Sequence, residues 1–167
     1  SLGLRFDAFE AQDIRRARMF AEESGATNRV VCENPIELGP VLRSGGDKNA
    51  GVVLRVPVLL GANNSGGENR LDNTKRITPE TAGMAESAGL RVALAPARDQ
   101  YLQDMLLVAG VAVRHGMSVD GALAGITSTA AELLGVDDRV GSLAVGKDAD
   151  FLILSGEPLA VGTLVEQ

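Results

Sequence analysis

Short apolar runs alternate along the chain with stretches in which apolar positions follow a helical period. The apolar runs predict strands at residues 2–6, 29–32, 52–60, 90–95 and 151–154. The helical period predicts helices at residues 10–24, 78–89, 101–115, from 118 onward, and at 127–134. Strands that alternate with helices in this order are typical of an α/β fold with a parallel sheet.

Residue types at the predicted helix ends support this division. Thr78-Pro79-Glu80 places a capping residue, a proline and an acid where a helix begins, and Ser118 is the expected cap of a later helix. Glycines are expected to end four of the helices, at positions 25, 89, 116 and 135. By contrast, residues 61–77 form a polar loop rich in Gly and Asn, a type that is often functional.

Composition narrows the possible partners. The formal net charge is −6 without a basic cluster, which argues against a nucleic acid or an anionic membrane as partner, and no apolar run reaches 18 residues. Cys32 is the only cysteine, which excludes an internal disulfide and a cysteine-based zinc cage and slightly favours a reducing cytoplasm. Because the sequence opens at Ser1 without a signal peptide, we expect it to begin inside a longer protein, so the localisation is unknown.

The strongest motif lies in the last third of the chain. Its first part is a helical segment with Ala122-Leu123, Thr127, Ala130-Ala131 and Leu133-Leu134-Gly135. The run Gly141-Ser142-Leu143-Ala144-Val145-Gly146-Lys147-Asp148-Ala149-Asp150 follows, and then Phe151-Leu152-Ile153-Leu154 and Gly156-Glu157-Pro158-Leu159. This stretch resembles the carboxyl-terminal end of the metal-dependent amidohydrolases, the group that contains the imidazolonepropionases.

The resemblance implies a fold and a reaction. It implies that residues 1–140 are the carboxyl-terminal half of a (β/α)8 TIM-type barrel, and that residues 141–167 hold a return strand that starts a small β-sandwich. A closed barrel of eight units needs about 250 residues, and this chain has 167. The implied reaction is hydrolysis of non-peptide C–N bonds in cyclic amides, ureides or amines, by water that a zinc ion activates.

The metal ligands that the resemblance implies are histidines and an aspartate at strand ends. A His-x-His strand would precede residue 1, but the later positions should lie within this chain. Cys32-Glu33-Asn34 stands where a histidine is expected, and Ala97 stands where the aspartate of the last strand is expected. We therefore expect no zinc in this chain and a degenerate active site.

A few residues remain as candidates. Glu33 and His115 are candidate metal ligands, although a hydrogen-bonded loop role for Glu33 and a helix-end role for His115 are the alternatives. Asp99 is a candidate catalytic residue, as a substitute for the aspartate of the last strand, with a solvated loop or helix-cap role as its alternative. Asn63 and Asn64 are candidates for a substrate loop.

Two kinds of function stay open. In the first, the intact parent is an enzyme that acts on a small-molecule substrate, and its missing amino-terminal half supplies the ligands. In the second, the chain is a binding or scaffold subunit that kept the barrel and lost the metal. In both cases half of a barrel exposes strand edges and apolar surface, so we expect a homo-oligomer, or association with the missing half or another subunit.

Overall fold

The computed structural model describes residues 4–7, 11–25, 30–33, 51–56, 78–96, 105–160 and 162–166. Four strands lie within these ranges: β1 (Leu4–Asp7), β2 (Val30–Glu33), β3 (Gly51–Val56) and β4 (Arg91–Pro96). Five helices accompany them: α1 (Ala11–Glu23), α2 (Glu80–Ser87), α3 (Met105–Arg114), α4 (Val119–Gly125) and α5 (Ser128–Leu134). The predicted alternation of strands and helices is confirmed.

The four strands form one parallel sheet in the order β1-β2-β3-β4. Each strand therefore neighbours the next one in the sequence, as in a sheet built from successive crossover units. The longest predicted strand, at residues 52–60, corresponds to β3, whose described part ends at Val56. Residues 57–60 lie outside the described ranges. The parallel α/β fold class is thus confirmed.

The first face of the sheet packs against helices. Val52, Leu54 and Val56 of β3 alternate along this face and are almost completely buried, and Val92 and Leu94 of β4 join them. Alanines of α2, α3 and α4 fill the space above these side chains, namely Ala82, Ala85, Ala109, Ala112 and Ala122. Small helix residues let the helices approach the β-branched sheet closely.

The second face of the sheet carries the alternate residues. Val53 and Ala93 pack there against Leu133 and Ala130 of α5. Gly51 at the start of β3 has no room for a side chain, because the Leu133 side chain occupies that space. Helix α5 therefore covers the amino-terminal end of the second face.

Helix ends follow the predictions with one difference. Ser118 caps α4, since its Oγ accepts from the Gly121 N–H at 2.9 Å. The helix α2, however, has Pro79 at its cap position and no side-chain cap bond, so the prediction that Thr78 caps it is wrong. Instead, the backbone N–H of Thr78 donates to Oγ1 of Thr81 at 3.1 Å. A side chain from the first turn of the helix therefore satisfies this backbone donor.

The segment after α5 forms turns. The strand predicted at Phe151 to Leu154 is not a regular strand, because Leu154 makes a single antiparallel bridge with Val165. Within the described part of this segment, no longer ladder supports the bridge, and Phe151 and Leu152 are 59% and 61% exposed. An apolar run needs neighbouring strands on which to pack before it becomes a stable strand.

Among the described helices, none combines the length and apolar character needed to cross a bilayer.

Candidate functional site

The carboxyl ends of the parallel strands meet at one edge of the sheet, where α/β proteins bind their ligands. β1 ends at Asp7 and β2 ends at Glu33, and these two residues are register partners. Glu33 is in turn the partner of Val53 on β3. Since Val53 lies on the second face, Asp7 and Glu33 occupy second-face positions at this edge.

A basic residue lies one step further along the same face. Arg55 follows Val53 by two positions, so it shares the face of Val53, and its register partner on β4 is Ala95. Its side chain is half-buried and takes part in a polar or electrostatic interaction. The edge thus carries two acidic positions and one arginine, where the apolar run around Arg55 predicts a buried strand.

His115 lies elsewhere, in the helical layer. It follows α3, and its Nδ1 is 2.9 Å from Oε1 of Glu80 at the start of α2. These helices cover the first face of the sheet, opposite the face that carries Glu33. The contact joins α2 to the end of α3 through two residues that are 35 positions apart in the sequence.

The acid of this pair is held in its ionised form. The pKa of Glu80 is lowered chiefly by its own backbone N–H, then by the Thr78 side chain and by His115. The backbone N–H groups at a helix start favour a negative charge, which explains the first cause. His115 therefore contributes a side-chain hydrogen-bond contact that ties the end of α3 to the start of α2.

An open groove of about 520 Å³ surrounds this pair. Its lining comes from α2 and from the turn after α3: Glu80, Gly83, Met84, Ser87, Ala88, His115 and Gly116. The groove is wide and shallow, and the side chains of Glu80 and His115 in its lining bind to each other. We assign it no ligand.

The structure does not bring together the candidate metal ligands that the sequence analysis identified. Glu33 and His115 belong to opposite faces of the sheet, so it does not bring these two candidate metal ligands together. Asp99, Asn63 and Asn64, and also Ala97, lie outside the described residues. Their roles stay predictions.

Sequence reasoning missed Asp7, Arg55 and Glu80. Asp7 directly follows the apolar run of β1, a signal that marks a strand end. Arg55 interrupts the most apolar strand of the chain, and a charge there is a signal for a special environment. The partnership of Glu80 with His115 has no local signal, because it depends on how two helices pack.

The residues that the structure describes do not form the zinc site that the resemblance implies. A zinc site needs three or four ligands drawn from His, Cys and carboxylate side chains. In the part of the chain that the structure describes, no three such residues are placed to hold a metal ion. On the second face, the last described residues of β3 and β4 are Arg55 and Ala95, and neither side chain is a metal ligand.

The fold defines an α/β protein with a four-stranded parallel sheet. The sequence of residues 82–166, just over half of the chain, matches the Amidohydrolase family. The chain belongs to this family, which confirms the resemblance of its carboxyl-terminal motif.

Relatives agree with this membership. The chain is 45% identical over 62 residues to an imidazolonepropionase of Syntrophobacter fumaroxidans, and 44% identical over 77 residues to one of Desulfotalea psychrophila. These stretches cover 36% and 42% of this chain, but 15% and 19% of the two relatives. The crystal structure of an amidohydrolase from Thermotoga maritima superimposes with a TM-score of 0.77 at 28% identity. That match covers 98% of this chain and 40% of the Thermotoga protein, so the chain spans less than half of its relatives' length.

Proposed function

We propose that this chain is the carboxyl-terminal half of an amidohydrolase barrel, and that it has no metal site or hydrolytic activity of its own. The observation that carries the proposal is the composition of the second face at the strand ends, where Arg55 of β3 and Ala95 of β4 accompany the acidic ends of β1 and β2. Four parallel strands in sequential order, with α2, α3 and α4 on the first face and α5 at the amino-terminal end of the second, support half of a (β/α)8 barrel. The second face is then the interior of that barrel.

The end of the chain supports a β-sandwich beside the barrel. Leu154 and Val165 pair in antiparallel fashion, and Ser155 N donates to Leu164 O at 3.0 Å. Such a two-stranded unit is unstable alone and requires further strands. The missing half of the barrel, or a second copy of this chain, is the partner that we propose for this segment.

The role that we propose for the chain as it stands is binding or scaffolding. When zinc is bound in an amidohydrolase, it lowers the pKa of a water molecule and polarises the carbonyl that is attacked. Here the described residues of the second face include Arg55 and apolar side chains, which hold and orient rather than exchange protons. A ligand would be held by shape and by the charges at the strand ends.

An active parent is the second candidate. The relatives named imidazolonepropionase favour it, because they match stretches of this chain at 45% and 44% identity. In this case the first half of the barrel supplies the metal ligands, and the intact protein hydrolyses C–N bonds of cyclic amides, ureides or amines.

A hydrolysis assay separates these two candidates. The purified chain is supplied with zinc and incubated with imidazolonepropionate, dihydroorotate and a cyclic amide, with zinc alone as the blank. We expect the rate with the chain to equal the blank for every substrate. Zinc-dependent turnover that a chelator abolishes would overturn the proposal for the chain alone, and would support a catalytic parent.

A further inference from the structure

Helix α5 brings a leucine to a place on the second face where the sheet has no side chain of its own. Gly51 begins β3 and shares the face of Val53, because it precedes Val53 by two positions. A Cβ built on Gly51 would overlap both methyl groups of Leu133 in α5. The Leu133 side chain therefore fills the space that a side chain of β3 would otherwise occupy.

The cover that α5 gives ends partway along the second face of β4. Ala93 is 4% exposed and packs in one cluster with Leu133, against which Ala130 of α5 also lies. Ala95 follows Ala93 by two positions on the same face and is partly exposed. The amino-terminal part of this face is thus closed, and its carboxyl-terminal part is open.

A polar contact fixes α5 at the starts of the strands. Arg91 begins β4 and is the register partner of Gly51. Its Nη1 lies 3.6 Å from Oε2 of Glu132, the residue that precedes Leu133 in α5. Both side chains are partly exposed, so this ion pair adds little stability, but it orients the helix across the ends of β3 and β4.

We propose that α5 acts as a plug, which fills the amino-terminal end of the second face and leaves the carboxyl ends of the strands as the way in for a ligand. In a closed barrel, layers of strand side chains fill the interior. Here Gly51 leaves that filling incomplete, and Leu133 completes it. The inference rests on the proposed function, which makes the second face the interior of the barrel. Helix α5 is then the floor of the binding region.

Thiol labelling in the whole chain tests this proposal. Ala93→Cys places a thiol beneath α5, and Ala95→Cys is the matched control on the same strand and face. A maleimide should label the Ala93→Cys thiol at least about tenfold more slowly than the Ala95→Cys thiol. Leu133→Ala should raise the Ala93→Cys rate roughly tenfold and change the Ala95→Cys rate less than about twofold. Mass spectrometry of the labelled peptides separates these thiols from Cys32.

An exchange of volume keeps the test decisive if Leu133→Ala does not fold. Gly51→Val should lower the melting temperature of the unmodified chain, because Leu133 occupies the space, and should raise that of Leu133→Ala, because the space is then empty. Val108→Cys, on the first face, reports general opening, and its buried thiol should stay protected in Leu133→Ala.

Three results would overturn the plug. They are an Ala93→Cys rate that Leu133→Ala leaves unchanged, an equal rise at the Val108→Cys thiol, and strictly additive effects of Gly51→Val and Leu133→Ala. A failure of the proposed function would look different, since it would appear as bound zinc or hydrolysis in the unmodified chain.

Discussion

Glu86 in α2 accepts a hydrogen bond from the backbone N–H of Ser118, with 2.7 Å between Oε2 and N. The other oxygen of the same carboxylate accepts from the Ser118 hydroxyl, and that hydroxyl in turn accepts from the Gly121 N–H. One carboxylate from α2 thereby orients the cap of α4. The relationship joins two helices that cover the first face of the sheet.

Removal of this carboxylate should destabilise the chain. We expect Glu86→Ala to lower the free energy of unfolding by about 1–2 kcal/mol, the usual value of a cap and a charged hydrogen bond. Ser118→Ala should cost a similar amount, and the double variant should cost less than the two together because they share one network. Urea unfolding measures these values, with Glu23→Ala at the exposed end of α1 as the control. Additive losses would contradict the shared network.

Two glycines in helices should respond in opposite directions to replacement by alanine. A Cβ on Gly83 would lie 2.6 Å from the carbonyl carbon of Gly116, whereas a Cβ on Gly110 would meet nothing closer than 3.9 Å. We expect Gly110→Ala to stabilise the chain by about 0.5–1 kcal/mol through lower backbone entropy in the unfolded state. Gly83→Ala should destabilise it by about 1–3 kcal/mol because backbone atoms must move apart. Thermal unfolding of both variants measures the sign, and stabilisation by Gly83→Ala would contradict the close approach.

The pH dependence of stability should contain a contribution from Glu80. Because the folded-state pKa of Glu80 is lowered from 4.5, the ionised carboxylate stabilises the folded chain above that value. This contribution is lost as the pH falls below 4.5 and through the lowered pKa. Glu80→Gln should therefore unfold more easily than the unmodified chain at pH 7, and the difference should shrink toward pH 3. Melting temperatures measured from pH 3 to pH 7 test this, with Glu157→Gln as the control; a difference that grows toward low pH would contradict it.

The carboxyl-terminal segment should cause self-association of the isolated chain. Leu152 and Leu164 are 61% and 67% exposed, close to the short bridge of Leu154 and Val165. Exposed apolar residues that cluster around an unpaired strand favour contact with a second copy. We expect Leu152→Ser combined with Leu164→Ser to shift the chain toward the monomer in light scattering after gel filtration. Met19→Ser, at an exposed apolar residue of α1 away from this segment, should leave the mass unchanged.

Local features made much of the fold predictable. The Ser118 cap and the glycines at 116 and 135 act through backbone geometry within a few residues, so they mark helix ends in the sequence itself. The run Phe151 to Leu154 was predicted as a strand on the same kind of local evidence, but a strand also needs partners, which local sequence does not specify.

The candidate site was less predictable for the same reason. Glu33 stands at a strand end, as predicted, but its register with Asp7 and Val53 depends on pairing between distant strands. The contact of His115 with Glu80 depends on the packing of α3 beside α2. Residue types at strand ends are therefore visible in the sequence, whereas their grouping is a property of the sheet.

Metal content tests the central claim most directly. The purified chain is dialysed against an excess of zinc sulfate and then against metal-free buffer, and its zinc is measured by mass spectrometry against the protein concentration. We expect well below 0.1 zinc ion per chain, and an unchanged melting temperature after treatment with a chelator, because a bound metal would add stability. One zinc ion per chain, together with a melting temperature that the chelator lowers, would contradict the account.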